Sequence, residues 1–233
     1  MQAGIIALIL GGGLVILALR LSRATRARRA WREGYFELIT PHMTALRRAV
    51  MPTGFARVSG QIGGVLTDLQ LVPDTLTWRK LPTLWLLITQ PGALPVSQRI
   101  DLMVRPRGVE PFSTFDALPH QTILPQDFPF DASLRSERAL SPDEADLLFR
   151  HLHLLQDPRI KELILAPEGL RLTFFADEAE RGRYLIFREA EMGKEPLEPE
   201  TLAPLLDALA DLRADILAGA AWQNRQENTG KTA

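Results

Sequence analysis

The sequence predicts an α+β fold: a single N-terminal transmembrane helix followed by one soluble domain, a mainly antiparallel sheet covered by helices. Three observations carry that expectation. Residues 3–21, AGIIALILGGGLVILALRL, hold one charge, at Arg20. Glycine pairs and proline breaks then punctuate short alternating runs, the pattern of antiparallel strands. Segments starting at Ser141 and Pro199 carry apolar residues at spacings of three and four, the pattern of amphipathic helices.

As a helix rising about 1.5 Å per residue, the apolar run spans roughly 28 Å, close to the hydrocarbon thickness of a bilayer. In lipid its backbone amides have only one another as partners, which selects helix. Arg20, Arg23, Arg26, Arg28, Arg29 and Arg32 follow it, and no acid precedes Glu33. A cleaved signal peptide has the opposite order, with basic residues before the run and small ones after. The arginine collar opposes translocation, so the N-terminus is expected outside and the domain on the cytoplasmic side of a bacterial inner membrane. Arginine outnumbers lysine 23 to 4, the usage of a GC-rich prokaryotic genome. The collar also suits anionic lipid headgroups, each cation near the surface contributing on the order of 1 kcal/mol. Ala3, Ala7 and Gly11 recur every four residues, and Gly4, Gly11 and Ala18 every seven. Such a small-residue face suits a second membrane helix, in a homo-oligomer or a membrane-protein partner. Gly11-Gly12-Gly13 is not a phosphate loop, since no Gly-Lys-Ser/Thr follows.

The formal charge of −1 hides an asymmetry. Residues 33–233 carry 21 basic against 28 acidic side chains, a net of −7, which argues against nucleic-acid binding. The absence of cysteine excludes disulfides, thiolate metal sites and cysteine nucleophiles. Four regions follow: residues 1–22 as anchor, 23–51 as basic collar and stalk helices, 52–222 as the α+β domain, and 223–233 as a polar, flexible tail.

Trp31, Tyr35, Phe36, Ile39, Met43, Leu46 and Val50 recur at helical spacing, with a break at Thr40-Pro41. They predict a stalk helix, a kink and a second short helix beginning at Pro41. Residues 55–62 and 65–72, joined by Gly63-Gly64, predict a hairpin, because two glycines supply the positive φ of a tight turn. Thr67, Leu69 and Leu71 alternate with Asp68 and Gln70, one face dry and one wet. Residues 84–89, LWLLIT, read as a central strand. Ile100, Leu102 and Val104 alternate with Asp101, Met103 and Arg105, predicting a half-buried one. Residues 106–140 are proline-rich yet hold Phe112, Phe115, Phe128 and Phe130, more aromatics than a disordered linker keeps. They predict an ordered loop with phenylalanines on the sheet, and a candidate partner surface. Ser141-Pro142-Asp143-Glu144 is a capping box opening a helix to about Gln156. Residues 160–166 and 170–176 predict a second hairpin, and 183–190, RYLIFREA, a further strand. Leu202, Leu205, Leu206, Leu209, Leu212 and Ile216 stripe a last helix over 199–221.

Candidate chemistry is thin. His151 and His153 would share a metal in a strand, but on a helix they face about 200° apart. Asp207, Asp211 and Asp215 read as the solvated face of the last helix. Trp78, Arg79 and Trp85 cluster near one strand, as core or as interface. Gly-x-Ser-x-Gly, His-Glu-x-x-His and dinucleotide-binding glycine patterns are absent. No catalytic residue, cofactor or metal is therefore expected.

IGGVLTDLQLVPDTLTWRKLPTLWLLIT, and KELILAPEGLRLTFF through RYLIFREA, give a layout that resembles bacterial membrane-anchored proteins of unknown function. That resemblance implies an N-terminal membrane helix with a cytoplasmic α+β domain and transfers no catalytic residue. The expected function is a membrane-tethered, non-enzymatic accessory or scaffold protein binding a membrane complex through a sheet edge or the 106–140 loop. The alternative is an enzyme acting on a lipid or membrane-delivered substrate. It would gather Asp116, His120, Asp127 or Asp131 in a deep pocket.

Overall fold

A computed structural model describes residues 2–75, 81–106, 108–124, 128 and 131–230, except for the side chains of 2–4, 6–9 and 220–230. Helix α1 (Gln2–Gly34) leads into a tight turn and then β1 (Thr44–Val50). Strands β2 (Ala56–Ile62), β3 (Val65–Asp74), β4 (Thr83–Pro91) and β5 (Ile100–Val104) follow. After β6 (His120–Thr122) and β7 (Ala132–Ser136) come α2 (Pro142–Arg150), β8 (Ile160–Ala166) and β9 (Gly169–Glu178). The chain closes with α3 (Arg181–Phe187) and α4 (Pro199–Gly230).

All described strands join one sheet in the order β1-β2-β3-β4-β9-β8-β5-β7-β6. Every neighbouring pair is antiparallel. The α+β class with a large antiparallel sheet is thus as predicted. Leu69, Leu86, Leu102, Leu163 and Leu172 of one face form a single apolar cluster with Leu148 of α2 and Leu202, Leu209 and Leu212 of α4. On the opposite face, Leu87 and Met103 pack with Phe112 and Phe115 from the connection after β5. Helices cover one side, and that connection covers the middle of the other.

Both hairpins form where turn chemistry foretold them. Val58↔Leu69 sets the register of the first, around Gly63 and Gly64 at positive φ. Leu163↔Leu172 sets that of the second. Thr67, Leu69 and Leu71 are buried while Asp68 and Gln70 are half-buried, as alternation requires. The capping box is complete: Ser141 Oγ accepts from the Glu144 amide at 3.3 Å, and the Ser141 amide donates to the Glu144 carboxylate at 2.8 Å. Removing that hydroxyl by Ser141→Ala should destabilise the domain by about 1 kcal/mol, read as a lowered urea midpoint at unchanged slope.

Several expectations fail. Residues 106–140 are not loop throughout, since His120–Thr122 and Ala132–Ser136 are strands of the sheet, and the last helix runs past residue 221 to Gly230. Pro41 opens no second stalk helix; Thr40–His42 is one 3₁₀ turn, and Met43 is already extended at φ −103°, ψ 137°. Tyr35, Phe36 and Ile39 drop into the core at this turn, and β1 runs on with all seven residues exposed. The helical spacing through Leu46 and Val50 is therefore coincidental. Residues 183–190 add no strand. Both neighbours of β9 are taken, by β4 and β8, so no edge is free beside it and the chain turns into α3. Strand β5 is buried on both faces rather than one. Helix α2 stops at Arg150, and Leu152–Gln156 continues as 3₁₀.

Among the residues with described side chains no helix is long and apolar enough to cross a membrane; residues 6–9 of the apolar run fall outside that set. The described side chains of the apolar run are Ile5 and those from Leu10 onward, and they are exposed. Ala3, Gly4 and Ala7 of the small-residue face have side chains outside the description. At Gly11 an added Cβ would meet nothing within 4 Å, and Ala18 is exposed, so nothing described in this chain covers that face.

Candidate functional site

The most perturbed chemistry lies beneath the connection after β5. Strand pairing places Asp101 of β5 opposite Arg135 of β7 and Ile164 of β8, and Ile164 opposite Arg171 of β9. One register step away, Glu162 of β8 stands opposite Thr173 of β9. Asp101 and Glu162 are both 0 % exposed. Glu162 accepts from the Thr173 hydroxyl at 2.9 Å and from the Ser113 hydroxyl of the covering connection. Asp101 Oδ2 accepts from Arg99 at 3.3 Å, while its Oδ1 has no hydrogen-bond partner. Burial, and then the neighbouring Glu162 charge, push the Asp101 carboxyl up to about 8, against the opposing pull of Arg99 and Arg171. Burial also raises Glu162, which two hydroxyl donors hold back. Glu162 is thus the better-stabilised anion, and Asp101 keeps the proton.

This pair has the acidity of a catalytic site without the access. Phe112 and Phe115 cover it, with the Trp85 ring tilted at 54° against Phe112, centroids 5.0 Å apart. Lys161 fixes the cover by pairing with Glu110 at 2.8 Å and donating to the Arg105 carbonyl at 2.7 Å. The arrangement anchors the connection to the sheet. Sequence reasoning assigned Asp101 to a wet face, since nothing local announces a cover supplied from a distance. Phe112 and Phe115 pack on the sheet as expected, and for that reason they are not a partner surface. Phe128 is half-buried, its ring 6.2 Å from Phe149. Phe130, Trp78, Arg79 and Asp127 lie outside the described residues. Trp85 is core filler between Phe112 and Phe175.

A cleft of about 370 Å³ opens between α2, α4 and the chain at 95–97, lined by Ser97, Ser141, Glu144, Arg150 and Asp215 among others. Two of its carboxylates, Glu144 and Asp215, are held by neighbours. Burial raises Glu144, but bonds from Ser141, Ser97 and Gln98 outweigh it and hold the carboxyl low. Asp215 takes His151 Nε2 at 3.0 Å. His151 is buried and His153 exposed, their rings 5.8 Å apart. Asp207 and Asp211 face solvent, as read from the stripe. Among the described residues no group of three potential ligands could hold a metal. Asp116, His120 and Asp131 are all exposed rather than gathered in a pocket.

The base of α1 forms a third region. Arg20, Arg23 and Arg26 are exposed, whereas Arg28 and Arg32 build the joint to the domain. Arg32 donates to the Thr53 carbonyl at 2.9 Å and lies over the Phe55 ring at 5.0 Å. Arg28 reaches Glu189 and Glu191 at 3.5 and 3.8 Å. Arg29 pairs along the helix with Glu33. Beside this joint runs the exposed edge β1, with Arg48 donating to the Glu33 carbonyl. No family model, no curated protein and no solved structure matches the chain.

Proposed function

We propose that the chain is a membrane-tethered, non-enzymatic accessory protein: α1 crosses a bacterial inner membrane once, N-terminus outside, and the domain binds a membrane-protein complex through the edge of β1. The observation that carries this reading is β1 itself, a seven-residue edge strand exposed at every position. An edge strand offers unpaired backbone groups to an incoming extended segment, a common mode of peptide capture. Leu46 and Val50 supply apolar contact, at 42 % and 50 % exposure. Arg47 and Arg48 disfavour pairing with a second β1 and favour an acidic partner strand. The apolar run followed by six arginines supports the anchor and its orientation. The exposure of Asp116, His120 and Asp131 weighs against the enzyme alternative.

Affinity purification from detergent extracts tests the proposal. The full chain should recover a stoichiometric partner, and Leu46→Lys combined with Val50→Lys should lose it while the thermal melt stays unchanged. Equal recovery by the double variant, or no partner with the unaltered chain, would refute the edge-strand reading.

A further inference from the structure

Helix α3 exposes three consecutive large apolar side chains: Leu185 at 56 %, Ile186 at 73 % and Phe187 at 68 %. Tyr184 faces inward, packed against the main core. The helix ends at Arg188 in the left-handed region, φ 56°, with its guanidinium over the Tyr184 ring at 5.6 Å. Nothing described in the domain covers this tip, and an exposed apolar cluster of this kind marks a contact surface.

Its position says what that is. Glu191, 7 % exposed, is held by Arg183 of α3 at 2.6 Å, by Lys194 at 2.7 Å and by Arg28 of α1 at 3.8 Å. Glu189, directly after α3, also meets Arg28. Lys194 lies over the Trp31 ring of α1 at 5.7 Å. The segment carrying α3 is therefore pinned to α1 at residues 28–31. Arg28 stands seven residues beyond Leu21, the end of the apolar run, or about 10 Å along the helix. Interfacial helices sink their apolar faces about 5–10 Å into the headgroup boundary, so α3 is held at the level of a bilayer surface. The charge agrees. Arg181 and Arg188 flank the apolar tip without a carboxylate partner among the described residues, and Arg20, Arg23 and Arg26 face outward from α1 nearby.

We propose that α3 is a second membrane contact, with Leu185, Ile186 and Phe187 seated in the interface of an anionic leaflet and Arg181 and Arg188 on its headgroups. The inference rests on the membrane-anchored reading above. It adds that the domain lies against the bilayer on a defined face, held at two points.

The chain has no cysteine, so single nitroxide labels can be placed cleanly on the whole 233-residue chain. Ile186→Cys, Val15→Cys in α1 and Asp211→Cys on the solvated face of α4 would each be labelled in vesicles of phosphatidylcholine with phosphatidylglycerol. Collision with lipid-soluble oxygen relative to a water-soluble nickel chelate reads the depth of each. The expected result is a ratio at 186 several-fold above that at 211, falling in pure phosphatidylcholine. A label at 15 buried in the bilayer with one at 186 as wet as 211 would overturn the α3 proposal and leave the anchor standing. Spin–spin broadening at 186 would assign the tip to a second copy and overturn it equally. A water-exposed label at 15 would instead refute the anchor.

Discussion

Gly169→Ala is expected to destabilise the domain by about 3 kcal/mol or more, the sum of backbone strain and forced displacement. Gly169 opens β9 opposite Pro91 of β4, at φ +144°, a conformation side chains rarely adopt. A Cβ there would stand 2.3 Å from the Gln90 carbonyl oxygen and 2.9 Å from Pro91 Cα. Both are backbone atoms of a strand in the interior of the sheet, so no flexible side chain can move aside. The turn is fastened further by Gly92 donating to the Glu168 carbonyl and Leu94 to that of Pro167, each within 2.9 Å. Gly63→Ala is the natural control. Gly63 also has positive φ, at +57°, but an added Cβ meets nothing within 4 Å. Its loss should be only about 1 kcal/mol. Equal urea midpoints for the two variants would show that the close approach at Gly169 does not govern the fold.

Asp101 supplies the second large effect. Its folded pKa of about 8 lies well above the ordinary value of 3.8. Between those limits the folded protein holds a proton that the unfolded chain has released. The stabilisation tied to this group is therefore complete below about pH 4 and is lost as pH rises through about 8. One proton of difference corresponds to a slope of at most about 1.4 kcal/mol per pH unit. The domain should weaken steadily from pH 5 to 8, and Asp101→Asn should remove most of that trend. The amide oxygen can keep the bond from Arg99, and no titrating carboxyl remains at this position. Urea titrations across that range decide it; parallel pH profiles for the two proteins would show that Asp101 is ionised in the fold.

What the sequence made legible was set locally. Gly63-Gly64 fixes a turn, Ser141 to Glu144 cap a helix within one turn, and Leu202 to Ile216 declare a stripe. Each is decided by residues within about a dozen positions. The failures were decided from far away. Whether residues 183–190 become strand or helix depends on β4 and β8 having already occupied both sides of β9. Whether Asp101 is wet depends on Ser113 and Phe115 returning over β5. Residues 44–50 carry helical spacing, yet they pair with β2 because Phe36 and Ile39 are drawn into the core just before them. The candidate surfaces follow the same division: the arginine collar is visible in composition, whereas the bare edge of β1 and the apolar tip of α3 emerge only from topology.

Gly34 is followed at once by Tyr35 and Phe36, at 4 % and 1 % exposure, so α1 enters the core with no slack between them. A tether with a loose linker would let its cargo tumble and sample many heights. This chain has a stiff mast instead. From Leu21 to Gly34 is about 20 Å of continuous helix, which in the proposed anchored arrangement would set the elevation of β1 above the lipid. On the anchored reading, the binding strand can sweep laterally but cannot rise, so only complexes presenting an acidic segment in that thin layer are within its reach.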